Sequence, residues 1–114
     1  MRAEAAKGLP IILAMHVPLY AEGLAQKVME EHPCAYLCGA PEELLAVYPE
    51  ERRIQQTPDE AMLCAIEYIK SEPLIKALVT GHTHMNFEEA LTESLVQYTT
   101  HGSFAGFVRE IAVL

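Results

Sequence analysis

Aspartate is nearly missing from this chain: of sixteen acidic residues only Asp59 is one, and Asn86 is the single asparagine. Carboxylate ligands of hydrolytic metal sites are commonly aspartates, so any metal chemistry here leans on other side chains. Basic residues are scarce too, eight against sixteen acidic for a net charge of -8. Arg52-Arg53 is the one adjacent basic pair, which excludes the clustered Lys and Arg that a nucleic-acid backbone requires. No apolar run approaches the ~18 residues of a membrane-spanning helix. Met1 to Lys7 is mixed in character and Leu9 to Met15 is short, so a secretory signal is not expected either. The expectation is a soluble, cytoplasmic protein. Cysteine occurs three times, at Cys34, Cys38 and Cys64, without a CxxC pair. An odd, unpaired set argues against a disulfide framework and for a reducing compartment. His32-Pro33-Cys34 with Cys38 does not have the spacing of common zinc ribbons or fingers.

What is present is apolar: 51% of 114 residues are hydrophobic. A chain of this length is expected to form one domain, residues 1–114, burying about two thirds of its unfolded surface. Residues 2–7 favour helix and are closed by Gly8. Ile11 to Met15 forms a continuous apolar run after Pro10, the pattern of a strand buried on both faces. It ends at His16, and Pro18 keeps helix from following. Leu24, Ala25, Val28 and Met29 recur at helical spacing within 22–31, and His32-Pro33 stops that helix. Pro41 opens a short helix, and Pro49 to Gln56 reads as loop. Thr57-Pro58-Asp59-Glu60 has the form of a capping box, with Thr57 as N-cap, Pro58 at N1 and Glu60 at N3. That helix should run to Ser71 and bury Met62, Ala65, Ile66 and Ile69. Residues 74–80 then read as a second buried strand, Leu95 to Thr100 as a third, and Phe107 to Leu114 as a fourth.

The most pointed stretch is Leu78-Val79-Thr80-Gly81-His82-Thr83-His84. Side chains at i and i+2 of an extended backbone project to one side, so His82 and His84 are expected to converge on one centre. Gly81 allows a sharp turn before them. The plainer alternatives are a hydrogen-bonded core histidine at His16 and solvent-exposed loop histidines at His32 and His101. The combination outweighs them: if the strands ending at His16 and at Gly81-His82-x-His84 are parallel neighbours, three imidazoles share the carboxyl edge where α/β sheets bind ligands. Glu88 and Glu89 are conceivable extra ligands, with solvated side chains as the plainer reading.

Met15-His16-Val17-Pro18-Leu19 together with Gly81-His82-Thr83-His84 resembles the last two signature blocks of the calcineurin-like metallophosphoesterases. The resemblance implies a mixed α/β (α+β) fold, part of a two-sheet β-sandwich with flanking helices. It also implies hydrolysis of phosphomonoesters or phosphodiesters at a two-metal centre, with Mn, Fe or Zn as the metal. By it His16 and His82 bind one ion and His84 the other. The family's earlier blocks, Asp-x-His, Gly-Asp-x-x-Asp and Gly-Asn-His-Asp/Glu, do not occur in this sequence. The chain therefore resembles the C-terminal portion of such a domain, holding at most one ion by itself. The alternative is a non-catalytic metal-binding or assembly domain. Unpaired strand edges and apolar faces make self-association the expectation on either reading.

Overall fold

Two apolar strands lying parallel position everything that follows. The structure, a computed structural model, describes residues 3, 7–33, 35–48 and 57–113. In chain order its elements are β1 (Ile11–Ala14), α1 (Glu22–Glu31), α2 (Glu42–Leu45), α3 (Glu60–Ser71), β2 (Ile75–Thr80), β3 (Phe87–Ala90), β4 (Val96–Thr99) and a 3-10 turn (Ser103–Ala105). The result is a mixed α/β fold with one open four-stranded sheet in the order β1-β2-β4-β3. β1 and β4 both run parallel to β2, with Leu13 opposite Leu78 and Val79 opposite Tyr98; β3 returns antiparallel to β4.

The register sorts the side chains onto two faces. On one, Ile11, Leu13, Ile75 and Leu78 pack with Leu19, Ile69 and Leu95. Beside them a second cluster joins α1, through Leu24, Ala25 and Val28, to Leu37, Tyr48 and Met85. β2 is interior, with Ile75, Ala77, Leu78 and Thr80 buried and Lys76 and Val79 half-buried. β1 is an edge strand, and only alternate residues are covered: Ile12 stays 57% exposed, unlike the doubly buried strand expected. The cause is that only one face of β1, that of Ile11 and Leu13, packs against the core, while Ile12 and Ala14 point to the other face.

Three local expectations change. The cap of α3 is Asp59, whose carboxylate accepts from Met62 N at 2.8 Å, so Thr57 and Pro58 lie outside the helix. Aspartate is the stronger N-cap, and it stands one residue before the first helical position. Of the stripe expected on α3, Ile69 is buried, Met62 and Ile66 are half-buried and Ala65 is exposed; Ile66 and Ile69, in its second half, carry the contacts with the core. Residues 107–113, expected as a strand, pair with no strand among the described residues. Arg109 ties them down instead, donating through Nη1 to Thr99 O at 2.7 Å and to Phe87 O at 3.3 Å, with its guanidinium over the Tyr98 ring.

The strand partner of β4 is β3, whose Phe-Glu-Glu-Ala sequence carries little strand propensity. Glu89 explains its place. α1 has no side-chain cap of its own at Ala21, and the Glu89 carboxylate accepts from Gly23 N and Leu24 N, each at 2.9 Å. A tertiary contact thus supplies the negative group that a helix N-terminus favours. The expected helix end before Gly8 falls mostly outside the described residues; Gly8 itself has φ 69, the left-handed conformation of a helix-terminating glycine. The 49–56 loop and Cys34 also lie outside them.

Candidate metal centre at the carboxyl edge of the sheet

Because β1, β2 and β4 are parallel, their C-terminal ends share one edge, the usual ligand edge of such a sheet. His16 follows β1, Gly81 to His84 follow β2, and His101 follows β4. Backbone bonds lace the exits together: Met15 N donates to Val79 O at 3.0 Å, Gly81 N to His16 O at 3.0 Å, and Thr100 N to Thr80 O at 2.9 Å. Below them the Thr80 and Thr99 hydroxyls are 3.1 Å apart in a buried pair.

The turn after β2 is built around His82, not Gly81. Thr83 N donates to Gly81 O at 2.7 Å, closing a three-residue γ-turn whose central residue, His82, has φ 64. Positive φ at the centre marks the rare, strained form of this turn. His84 is also left-handed, at φ 54. Gly81 is not required sterically, since an added Cβ would meet only His16 O at 3.9 Å. Thr83 and Met85, 1% and 2% exposed, anchor the loop inward; His84 between them is exposed and His82 before them half-buried. Two non-glycine residues in this region cost about 1–3 kcal/mol each, strain that concentrates at functional sites.

This backbone separates the imidazoles that an extended strand would have aligned. His82 turns toward His16, with ring centroids 5.1 Å apart and planes at 73°. Its other neighbour is the buried Tyr36 ring at 4.8 Å. His84 turns away, to His32 at 6.1 Å and Phe104 at 5.0 Å. In ring contacts the three imidazoles thus divide into the His16–His82 pair and His84, which meets His32 and Phe104. His16 is exposed, which removes the core-histidine reading; His32, read as a loop residue, is half-buried. His101 is exposed, and its backbone N–H donates to Asn86 Oδ1 at 3.1 Å.

His82 carries the electrostatic signature of the site. Its Nε2 is buried without a hydrogen-bond partner. Burial pushes its imidazole below the ordinary value, and the neighbouring His16 and His84 push it further in the same direction. It is therefore held neutral, the form that ligates metals. Two imidazoles sharing a tetrahedral ion with bonds of about 2.1 Å have ring centres about 5 Å apart. The His16–His82 pair fits that spacing, whereas the 6.1 Å of His32–His84 demands a wider angle.

The acidic side chains do not complete the set. Glu88 pairs with Arg109, Oε2 to Nη2 at 3.1 Å, and Glu89 caps α1. Among the described residues, no three His, Cys, Asp or Glu side chains gather as a group able to hold a metal. His16 and His82 alone would supply only two of the four ligands that a tetrahedral ion takes. Tyr36 and His32 were not legible as parts of this edge, because neither lies near the histidine blocks in sequence. No protein-family profile, no curated protein and no solved structure matches this chain.

Proposed function

We propose that this chain is the histidine-bearing C-terminal part of a metal-dependent phosphohydrolase of the calcineurin-like metallophosphoesterase type. The reading is carried by the pairing of His16 with His82 from two parallel strand ends, while His84 stands apart. That division is the one the sequence resemblance assigns to the two ions. The left-handed backbone at both His82 and His84 supports it, as does the unpartnered, neutral His82. On this reading the open sheet is one of two in a sandwich, and the exposed Ile12 on β1 belongs to a face that another sheet covers. Divalent metals in such sites neutralise phosphate oxygens and activate water for in-line attack on phosphorus. The chain's own contribution is to hold the neutral His82 imidazole at fixed spacing from the His16 ring, with His84 on the same loop. The bridging Asp and the Asn ligand come from outside this sequence, since neither Asp59, which caps α3, nor Asn86 stands in a matching block. Free Cys38 and Cys64 fit a cytoplasmic setting, and no helix among the described residues is long and apolar enough to cross a membrane.

A second reading, a non-catalytic domain that binds one ion or self-associates, is favoured by the meeting of only two imidazoles. Metal content and hydrolysis of 4-nitrophenyl phosphate with Mn²⁺, measured on the chain and on His82→Ala, separate the two. Metal-dependent turnover lost in the variant supports the hydrolase. Bound metal without turnover supports the second reading. No bound Mn²⁺, Co²⁺ or Zn²⁺ above the ordinary imidazole pKa of ~6.5 sinks the ligand assignment.

A further inference from the structure

We propose that Phe104 and His84 form a stacking shelf for a planar aromatic group carried by the phosphoester, a nucleobase or an aryl group. The phosphoester part rests on the phosphohydrolase reading; the shelf rests on its own geometry. Phe104 sits on the turn Ser103–Ala105 and is 77% exposed, a large apolar side chain left in water at the edge that carries the histidines.

The ring is nevertheless seated. A methyl group at Gly102 would overlap it, so the missing Cβ is what lets the ring fold back over that residue. Ala105 N donates to Gly102 O at 3.0 Å and Gly106 N to Ser103 O at 3.1 Å, closing the turn, and Gly106 takes the left-handed φ of 75 that ends it. Its second support is His84, edge to face at 5.0 Å and 80°. His32 stands behind His84 at 6.1 Å and 74°, so three rings line one side of the carboxyl edge.

A ring held by a glycine and an imidazole, with most of its surface still in water, is prepared for stacking. Stacking needs a π-face and no hydrogen-bond readout. A ring already ordered loses little conformational freedom when it binds. The left-handed His84 backbone fits the same role, because it carries the imidazole that meets Phe104 edge to face. The aromatic part of a substrate would then lie beside the imidazoles, with its phosphate toward the sheet edge.

The test uses adenosine, which carries no phosphate, titrated into the full chain without added metal and followed by NMR of the ring protons. Phe104 and His84 signals are expected to shift with adenosine and with AMP, and not with ribose 5-phosphate. Phe104→Leu keeps an exposed apolar side chain but removes the π-face, and should weaken adenosine binding at least about fivefold. Gly102→Ala, which displaces the ring without removing it, should weaken it as well. Stronger binding of AMP than of 4-nitrophenyl phosphate assigns the shelf to a base, and the reverse assigns it to an aryl group. Absence of shifts at these rings with every aromatic probe, or wild-type binding in Phe104→Leu, overturns the proposal. No step of this test needs metal, so its failure and the failure of the metal reading are separate results.

Discussion

Gln97 on β4 is 1% exposed and clamps the chain just beyond His16. Its Oε1 accepts from Leu19 N at 2.8 Å, and its Nε2 donates to Leu19 O at 2.9 Å, across 78 residues of sequence. Leu19 is itself 1% exposed, so the two peptide groups depend on this one side chain. Gln97→Leu conserves size and strands a buried N–H and a buried C=O. Each such group costs about 1–3 kcal/mol, roughly 2–6 kcal/mol for both. Burying the apolar replacement returns about 1–2 kcal/mol, so the midpoints, about 4 less about 1.5, leave a net loss of about 2.5 kcal/mol. Against a total stability of about 5–15 kcal/mol that is a large fraction. Gln97→Glu keeps an acceptor, loses the donor and buries a carboxylate, so at neutral pH it should be at least as damaging. Urea unfolding gives both values, and imidazole NMR reports whether His16 still meets His82. If Gln97→Leu loses less than about 1 kcal/mol at an unchanged denaturant slope, the Leu19 peptide groups are finding other partners and the reasoning fails.

Other consequences follow from the caps and from His82. Asp59→Ala should lower stability by about 1 kcal/mol, and Thr57→Ala by less than about 0.5 kcal/mol; the reverse order in urea melts would return the cap to Thr57. Glu89→Ala removes the acceptor of Gly23 N and Leu24 N and should cost about 1–2 kcal/mol. Hydrogen exchange should show the first turn of α1 opening first, and unchanged protection there would refute the tertiary cap. His82 is depressed below its ordinary 6.5 in the folded chain, chiefly by burial. The unfolded chain therefore takes up this proton first. Stability linked to His82 is whole above pH of about 6.5 and declines as pH falls toward the lower folded value. Urea midpoints should drop over that interval in the wild type and flatten in His82→Gln; equal slopes in both would exclude His82 as the source.

Much of the helix and strand pattern was readable locally. The stripe of Leu24, Ala25 and Val28 and the largely apolar run of β2 follow from burial in two adjoining clusters. β3 was not readable, because Glu88 and Glu89 disguise a strand whose glutamates are used by Arg109 and by α1. Residues 107–113 show the converse, an apolar segment of strand composition that finds no strand to pair with among the described residues. Strand propensity is a statement about fitting a pleated surface, and only the neighbours decide whether that surface exists.

The histidine edge divides in the same way. Sequence alone determined that His16 and the Gly81–His84 stretch end two largely apolar strands, because an apolar run in a sheet must stop where the chain meets water. Only the tertiary structure decided that those strands are parallel neighbours, and that His82 joins His16 while His84 joins Phe104. The reason is the sign of φ at two residues. Buried Thr83 and Met85 fix the loop from within, and the histidines on either side of Thr83 are held in left-handed conformations that local preference would not select.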